Sequence, residues 1–361
     1  MKKVIFISAL AIAAAVSCTK SDIVDTKFNE QIGFETYVGR DAQTKAAVAN
    51  AAAMQAATIY NGFKVFGFYT GSETYVQAET PANLMNGVHV TYSTAESKWV
   101  YSPAKYWTNA DDKYTFLAYS PADLTAKSNE ADFEGKTVDP VVEFEVNSTV
   151  KSQEEFLYSN GNQDVTKDNG GAALIFKHGL SRITVKAVEN VDDYDYTIYK
   201  VTLGGAFNTT GTFNLADGEW TTANTTNPVY TIFESKEAEE GVEAVEPVEV
   251  PETNYDFANS DNYLMVIPTG TNEIEVTLNV TYTTTYAGFE SEPMTKPVTF
   301  KSTFVQGMAY SLNLAFEPNT DNEIIFSVDV DLWDTVNDNG TTDVTEDDYT
   351  VETPVNGTIK A

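Results

Sequence analysis

The chain has a single cysteine, Cys18, among its 361 residues. A lone thiol forms no internal disulfide, so the fold has to hold by packing and hydrogen bonding. Histidine is almost as scarce. His89 and His178 are the only two, and neither has a cysteine or histidine partner at metal-ligand spacing, so no metal site and no cofactor is expected. No G-x-S-x-G elbow is present, and both histidines read as packed or hydrogen-bonded strand residues. Positive charge is short as well: 22 Lys and Arg stand against 53 Asp and Glu, a formal charge of −31. Such a chain is a poor binder of nucleic acid and is repelled by anionic lipid head groups. Its charge suits solubility on a crowded outer surface. Carboxylates abound, and a pair of them can hydrolyse glycosides, but the sequence singles out no pair, and the chain is expected not to be an enzyme. No apolar run after the first 16 residues is long enough to cross a bilayer as a helix.

What the sequence does have begins at its N-terminus. Lys2 and Lys3 precede an apolar run, Val4 to Val16, and then Cys18. This is the pattern of an export signal, too short to be a membrane span. Ala15-Val16-Ser17-Cys18 resembles the lipobox of bacterial lipoproteins, with alanine where leucine is usual. The resemblance implies removal of residues 1–17 and acylation of Cys18, which anchors the protein in a membrane without a transmembrane helix. Loss of the two lysines takes the formal charge to −33.

The remainder is rich in Tyr, Thr and Phe, a β-favouring composition. In "NEIEVTLNVTY" Ile274, Val276, Leu278, Val280 and Tyr282 fall on one face, and in "IIFSVDVDLW" Ile324, Phe326, Val328, Val330 and Leu332 do the same. "EQIGFETYV" groups Ile32, Phe34 and Val38. These read as half-buried strands. "FKVFGFY" (63–69) and "YTFLAYS" (114–120) are apolar on both faces, as central strands are. Turn chemistry at Asn61-Gly62, Asn86-Gly87, Asn160-Gly161 and Asp217-Gly218 predicts strand ends. The class is therefore all-β. Alanine-rich 44–57 predicts a short helix or a surface connection. Acidic 234–253 predicts a solvated loop whose main energetic role is loop closure. The polar stretch 160–171 marks the expected division, with an N-terminal domain at 18–170, a C-terminal domain at 171–334 and a tail at 335–361.

Five blocks occur in order: "WVYSPAKYWTNADDKYTFLAYSP" (99–121), "ALIFKHGLSRITVKAV" (173–188), "GTFNLADGEW" (211–220), "YLMVIPTG" (263–270) and "FSVDVDLW" (326–333). Together, behind the lipobox, they resemble the fimbrillin-like family of type V pilus subunits and surface lipoproteins. The resemblance implies two tandem Greek-key, transthyretin-like β-sandwiches. It also implies delivery to the outer membrane, protease cleavage after the first strand, and replacement of that strand by the C-terminal segment of another subunit. Such exchange is strand addition, with main-chain bonds giving affinity and alternate side chains filling pockets. Arg40, directly after "EQIGFETYVG", is the first candidate for cleavage and Lys45 the second. In the tail, Tyr349, Val351 and Val355 alternate as a donor strand would, and Pro354 confines that strand to an edge-like pairing. Expected partners are other fimbrial subunits and the outer membrane, through lipid on Cys18. The alternative is a surface lipoprotein that binds host glycan or protein through its sandwiches; the aromatics of 60–77 are candidates, though most should be core.

Two weaker patterns lie in the tail. Thr335–Glu346 places Asn337, Asn339, Gly340, Asp343 and Glu346 at calcium-loop positions, but threonine stands where the loop wants aspartate, so a solvated turn is the expectation. Asp334-Thr335-Val336 resembles a bacterial O-glycosylation acceptor.

Overall fold

The structure, a computed structural model, describes residues 30–38 and 54–332 apart from 59, 77, 79–81, 125–126, 129–138, 169–171, 190–193, 223–225, 239–242, 252, 254, 258–262 and 317–323. The first half of the chain carries β1 (Glu35–Val38), β2 (Phe63–Gly71), β3 (Ala82–Ser93), β4 (Lys98–Val100), β5 (Lys113–Ser120), β6 (Lys127–Ser128), β7 (Val141–Glu145) and β8 (Leu157–Val165). Then come β9 (Ala173–His178), β10 (Ser181–Glu189), β11 (Tyr194–Gly205), β12 (Thr210–Asn214), β13 (Glu219–Thr221), β14 (Val229–Glu234) and β15 (Val248–Glu249). The last are β16 (Tyr255–Asp256), β17 (Leu264–Val266), β18 (Ile274–Tyr286), β19 (Phe289–Glu290), β20 (Met294–Ser302), β21 (Met308–Phe316) and β22 (Ile324–Leu332). The class is all-β, as the composition and alternation predict.

Four sheets result. A seven-stranded sheet runs β1-β9-β8-β5-β2-β3-β4, and a four-stranded sheet runs β13-β12-β7-β6. A five-stranded sheet is ordered β16-β10-β21-β22 with β17 also on β10. A six-stranded sheet is ordered β14-β11-β18-β19, with β15 on β11 and β20 on β18. Two pairings, β1 with β9 and β10 with β21, are parallel.

The two-faced apolar runs explain the layering. On β2 and β5, Phe63, Val65, Tyr114, Phe116 and Ala118 point into one hydrophobic cluster. Phe66, Phe68, Leu117 and Tyr119 point the other way, into a cluster shared with Val142 and Phe144 of β7 and Phe213 of β12. That second cluster continues through Val185, Ile198, Val201, Leu278 and Leu312 of the five- and six-stranded sheets. A strand apolar on both sides has to be covered on both sides. β18 shows the one-sided case: Val276, Leu278, Val280 and Tyr282 are fully buried while the alternating residues are not.

Pairing does not change partners at residue 170. β9 lies beyond that point and joins the first sheet, and β7 pairs across it with β12. Two predicted turns lie inside strands: Gly87 within β3 and Gly161 within β8. The register slips along both β2–β3 and β5–β8, and small residues accommodate such irregularity in a continuing strand. Asn61-Gly62 and Asp217-Gly218 do sit at turns, with φ of +80° and +78° at the glycines. The acidic 234–253 stretch is also more than a solvated loop. Lys236 and Val245 exchange backbone hydrogen bonds, β15 pairs with β11, and Val248 and Val250 are buried. Their alternate spacing sits inside a run of glutamates, so composition masks a strand.

At the end of β9 lies a buried polar cluster. His178 Nδ1 is 2.6 Å from Glu155 Oε1, and both side chains are nearly inaccessible. The Tyr60 hydroxyl donates to the other Glu155 oxygen. Burial, with the carboxylate beside it, holds the Tyr60 phenol well above its ordinary value. Directly after the histidine, Gly179 donates to Phe156 O (2.8 Å), and its own carbonyl accepts from Trp220 Nε1 (2.7 Å). A Cβ at Gly179 would stand 2.3 Å from the Phe156 ring, so only glycine lets the chain pass this close.

Removing His178 takes one of its two partners from the buried Glu155 carboxyl, and a buried polar group that loses a hydrogen-bond partner costs about 1–3 kcal/mol. His178→Ala is therefore expected to lower the unfolding free energy by an amount of that order, read as a lower urea midpoint at unchanged denaturant slope. A second expectation concerns alkali. Burial pushes the Tyr230 and Tyr282 phenols up to about 12 from an ordinary 10.0. For an acid raised in the folded state, that contribution is full below pH 10 and is lost as the pH climbs towards 12. Stability followed by circular dichroism should accordingly hold to about pH 10 and fall beyond it, and Tyr282→Phe should flatten that fall.

Candidate functional site: the seated N-terminal segment

Residues 30–38 are clasped on two sides. On one side Ile32 N donates to Lys105 O (2.9 Å) and Trp107 N donates to Glu30 O (3.1 Å), with Gln31 and Tyr106 forming an antiparallel bridge. On the other side β1 lies parallel to β9, in register from Glu35 with Ala173 to Val38 with Phe176. The segment thus forms one edge of the seven-stranded sheet and is stitched to the loop after β4.

Its alternation determines which side chains go in. Ile32 is fully buried and Phe34 nearly so, while Gln31, Gly33 and Glu35 are exposed. Phe34 meets Phe63 and Phe116 edge to face, at ring separations of 5.8 and 5.6 Å, and Tyr101 at 5.6 Å. Such pairs add about 0.5–1.5 kcal/mol each beyond the area they bury. Polar tips of the surrounding aromatics hold the segment by its backbone and by a side chain. The Tyr101 hydroxyl donates to Ile32 O (2.8 Å), and Trp99 Nε1 donates to Thr36 Oγ1 (3.1 Å). Burial raises the Tyr101 phenol above its ordinary value. Glu30 carries an ion pair to Lys167 at 2.9 Å.

The short, aromatic-dense stretch Trp99–Trp107 supplies much of this clasp. It stands in the sequence as part of a family-like block, with nothing local to say which strand it receives. Neither could the sequence show that His178 meets Glu155, or that Glu155 meets Tyr60 95 residues away. His89 is exposed, with Nε2 2.6 Å from Asn61 O. Of the aromatics at 60–77, Tyr60, Phe63, Phe66, Phe68 and Tyr75 are core and Tyr69 is half-buried. Cys18, Arg40, Lys45, Tyr349, Val351 and Val355 lie outside the described residues, as do Asp334 and the Thr335–Glu346 loop. Among the described residues no group of three or more His, Cys, Asp or Glu could hold a metal ion, and no helix is long and apolar enough to cross a membrane.

The arrangement performs no evident chemistry. It is a strand held in a groove by main-chain bonds and two apolar anchors. A fimbrial protein from Bacteroides vulgatus has a similar fold, with a TM-score of 0.66, 17% identity, and coverage of 84% of this chain and all of that one. A protein described as a candidate for cell adhesion, from Bacteroides ovatus, aligns at a TM-score of 0.45 and 12% identity over 85% of this chain and 99% of its own. No curated protein matches the chain. The sequence matches the fimbrillin-like description over residues 44–333, and the chain belongs to the fimbrillin-like family, whose proteins are structural rather than enzymatic.

Proposed function

We propose that this protein is a structural subunit of a cell-surface fimbria, a shaft, anchor or accessory component. It has two tandem sandwich domains, is exported as a lipoprotein acylated at Cys18, is held at the outer membrane, and is built into a polymer by protease-triggered strand exchange between subunits. The observation that carries the reading is the seated segment. Ile32 and Phe34 fill the first core from a sheet edge, and Arg40 follows only two positions after the end of β1. A cut at Arg40 or Lys45 converts that segment from part of the chain into a bound peptide. Its departure exposes the β9 edge and the Phe34 pocket, and an exposed edge with an empty apolar slot invites a replacement strand. The replacement with the right alternation is the tail around Tyr349, Val351 and Val355 of another subunit. A second reading, adhesion to host glycan or protein, has one observation in its favour. Tyr286 and Phe289, at the turn between β18 and β19, are exposed, Phe289 by 82%.

Treatment with a trypsin-like protease should yield a chain beginning at Asp41 or Ala46 and, with it, oligomers that resist mild detergent. Arg40→Ala combined with Lys45→Ala should abolish both, as read by N-terminal sequencing and gel ladders. Oligomers from the uncleaved double variant would defeat the exchange scheme. Cys18→Ala should leave a full-length precursor absent from the outer-membrane fraction, because acyl chains are the attachment this reading supplies.

A further inference from the structure

β14 differs from the strand at the opposite side of its sheet. β20 carries Pro297, Lys296 and Lys301 along its length, and proline and lysine on an edge oppose pairing with another chain. β14, Val-Tyr-Thr-Ile-Phe-Glu, has neither, and Val229 is 64% exposed. Pro228 O accepts from Gly205 N (3.4 Å), and Leu203 stands opposite Tyr230 two positions on. Antiparallel pairs alternate between bonded and non-bonded, so the backbone groups of Val229 and Thr231 point away from β11.

A cleft of about 800 Å³ lies between β14 and the four-stranded sheet. Glu143 and Glu145 of β7, Glu154, Thr210 and Thr212 line it. Tyr230 also lines it; that side chain is 1% exposed and its hydroxyl makes no hydrogen bond. The cleft thus borders the outward backbone groups of β14, beside the short 3-10 turn Val150–Ser152, and offers a buried hydroxyl without a hydrogen bond and the exposed carboxylates of Glu143 and Glu145.

We infer that the β14 cleft accepts an extended peptide segment carrying lysine or arginine at alternate positions, contributed by a partner other than this chain's own tail. Charge decides the occupant. Residues 343–356 contain Asp343, Glu346, Asp347, Asp348 and Glu352 and no basic residue, and a second copy placed edge to edge would bring its own Glu143 and Glu145 against these. Both arrangements set like charges together, which is unfavourable in any partly desolvated contact. A basic strand meets the carboxylates with opposite charge and the edge with main-chain bonds. The inference is independent of the fimbrial reading, which concerns the β1 edge and the acidic tail.

The test is calorimetric titration of the full mature chain, at physiological salt, with a peptide of alternating lysine and valine. The expected result is saturable one-site binding, weakened about tenfold or more by Glu143→Gln with Glu145→Gln and unchanged by Glu96→Gln, a carboxylate far from the cleft. Thr231→Pro removes an outward donor without breaking a bond to β11 and should weaken binding too. A lysine–proline peptide of equal charge, unable to pair, should bind at least about tenfold more weakly. The inference is overturned if the lysine–valine peptide does not bind, if both peptides bind alike, if Glu143 and Glu145 do not matter, or if a peptide of residues 343–356 competes. The last outcome would leave strand exchange by the tail intact while moving its site.

Discussion

Ile32 and Phe34 sit in a core built by residues far away in the chain. What holds them is the clasp itself: backbone bonds to Glu30 and Ile32 on one side, the β9 ladder on the other, and three aromatic rings around Phe34. Burying two such side chains is worth about 1.5–3 kcal/mol each, and each backbone bond adds about 0.5–1.5 kcal/mol net. The sum is comparable to the whole stability of an ordinary domain. A segment bound that firmly stays while it is covalently attached, because attachment keeps its effective concentration high. In the proposed exchange, cutting the attachment would leave it to compete with any other strand that offers the same alternation.

The same sheet is tied to the rest of the molecule at the other end of β9. His178, Glu155 and Tyr60 come from three separate stretches and meet where the first sheet hands the chain to β10. Gly179 passes against Phe156 there, and Trp220 of β13 reaches across to the Gly179 carbonyl. The strand that receives β1 along its edge is thus anchored at its end by a buried polar cluster.

Much of this was legible in the sequence, and for identifiable reasons. Period-two alternation at 274–282 and the two-faced runs at 63–69 and 114–120 fixed the strands and their layers, because burial on one or both faces leaves its mark residue by residue. The fimbrillin-like resemblance, read from five blocks, gave the family. What stayed hidden was non-local or masked by composition. Asn86-Gly87 and Asn160-Gly161 look like turns but continue as strands with slipped register. Val248 and Val250 form a pairing strand inside a run of glutamates. The partners of His178 lie at positions that no local pattern connects, and the parallel seating of β1 on β9 joins residues more than a hundred positions apart.

Hydrogen–deuterium exchange with and without the N-terminal segment measures the groove directly. In the intact chain the amides of Ile32, Glu35 and Trp107 should exchange slowly. After cleavage at Arg40 and separation of the released segment, protection should fall by about tenfold or more at Trp107 and along β9, while β18 keeps its own. Equal protection of Trp107 and β9 with the segment gone would show that residues 30–38 merely lie on a finished domain, and would contradict the account.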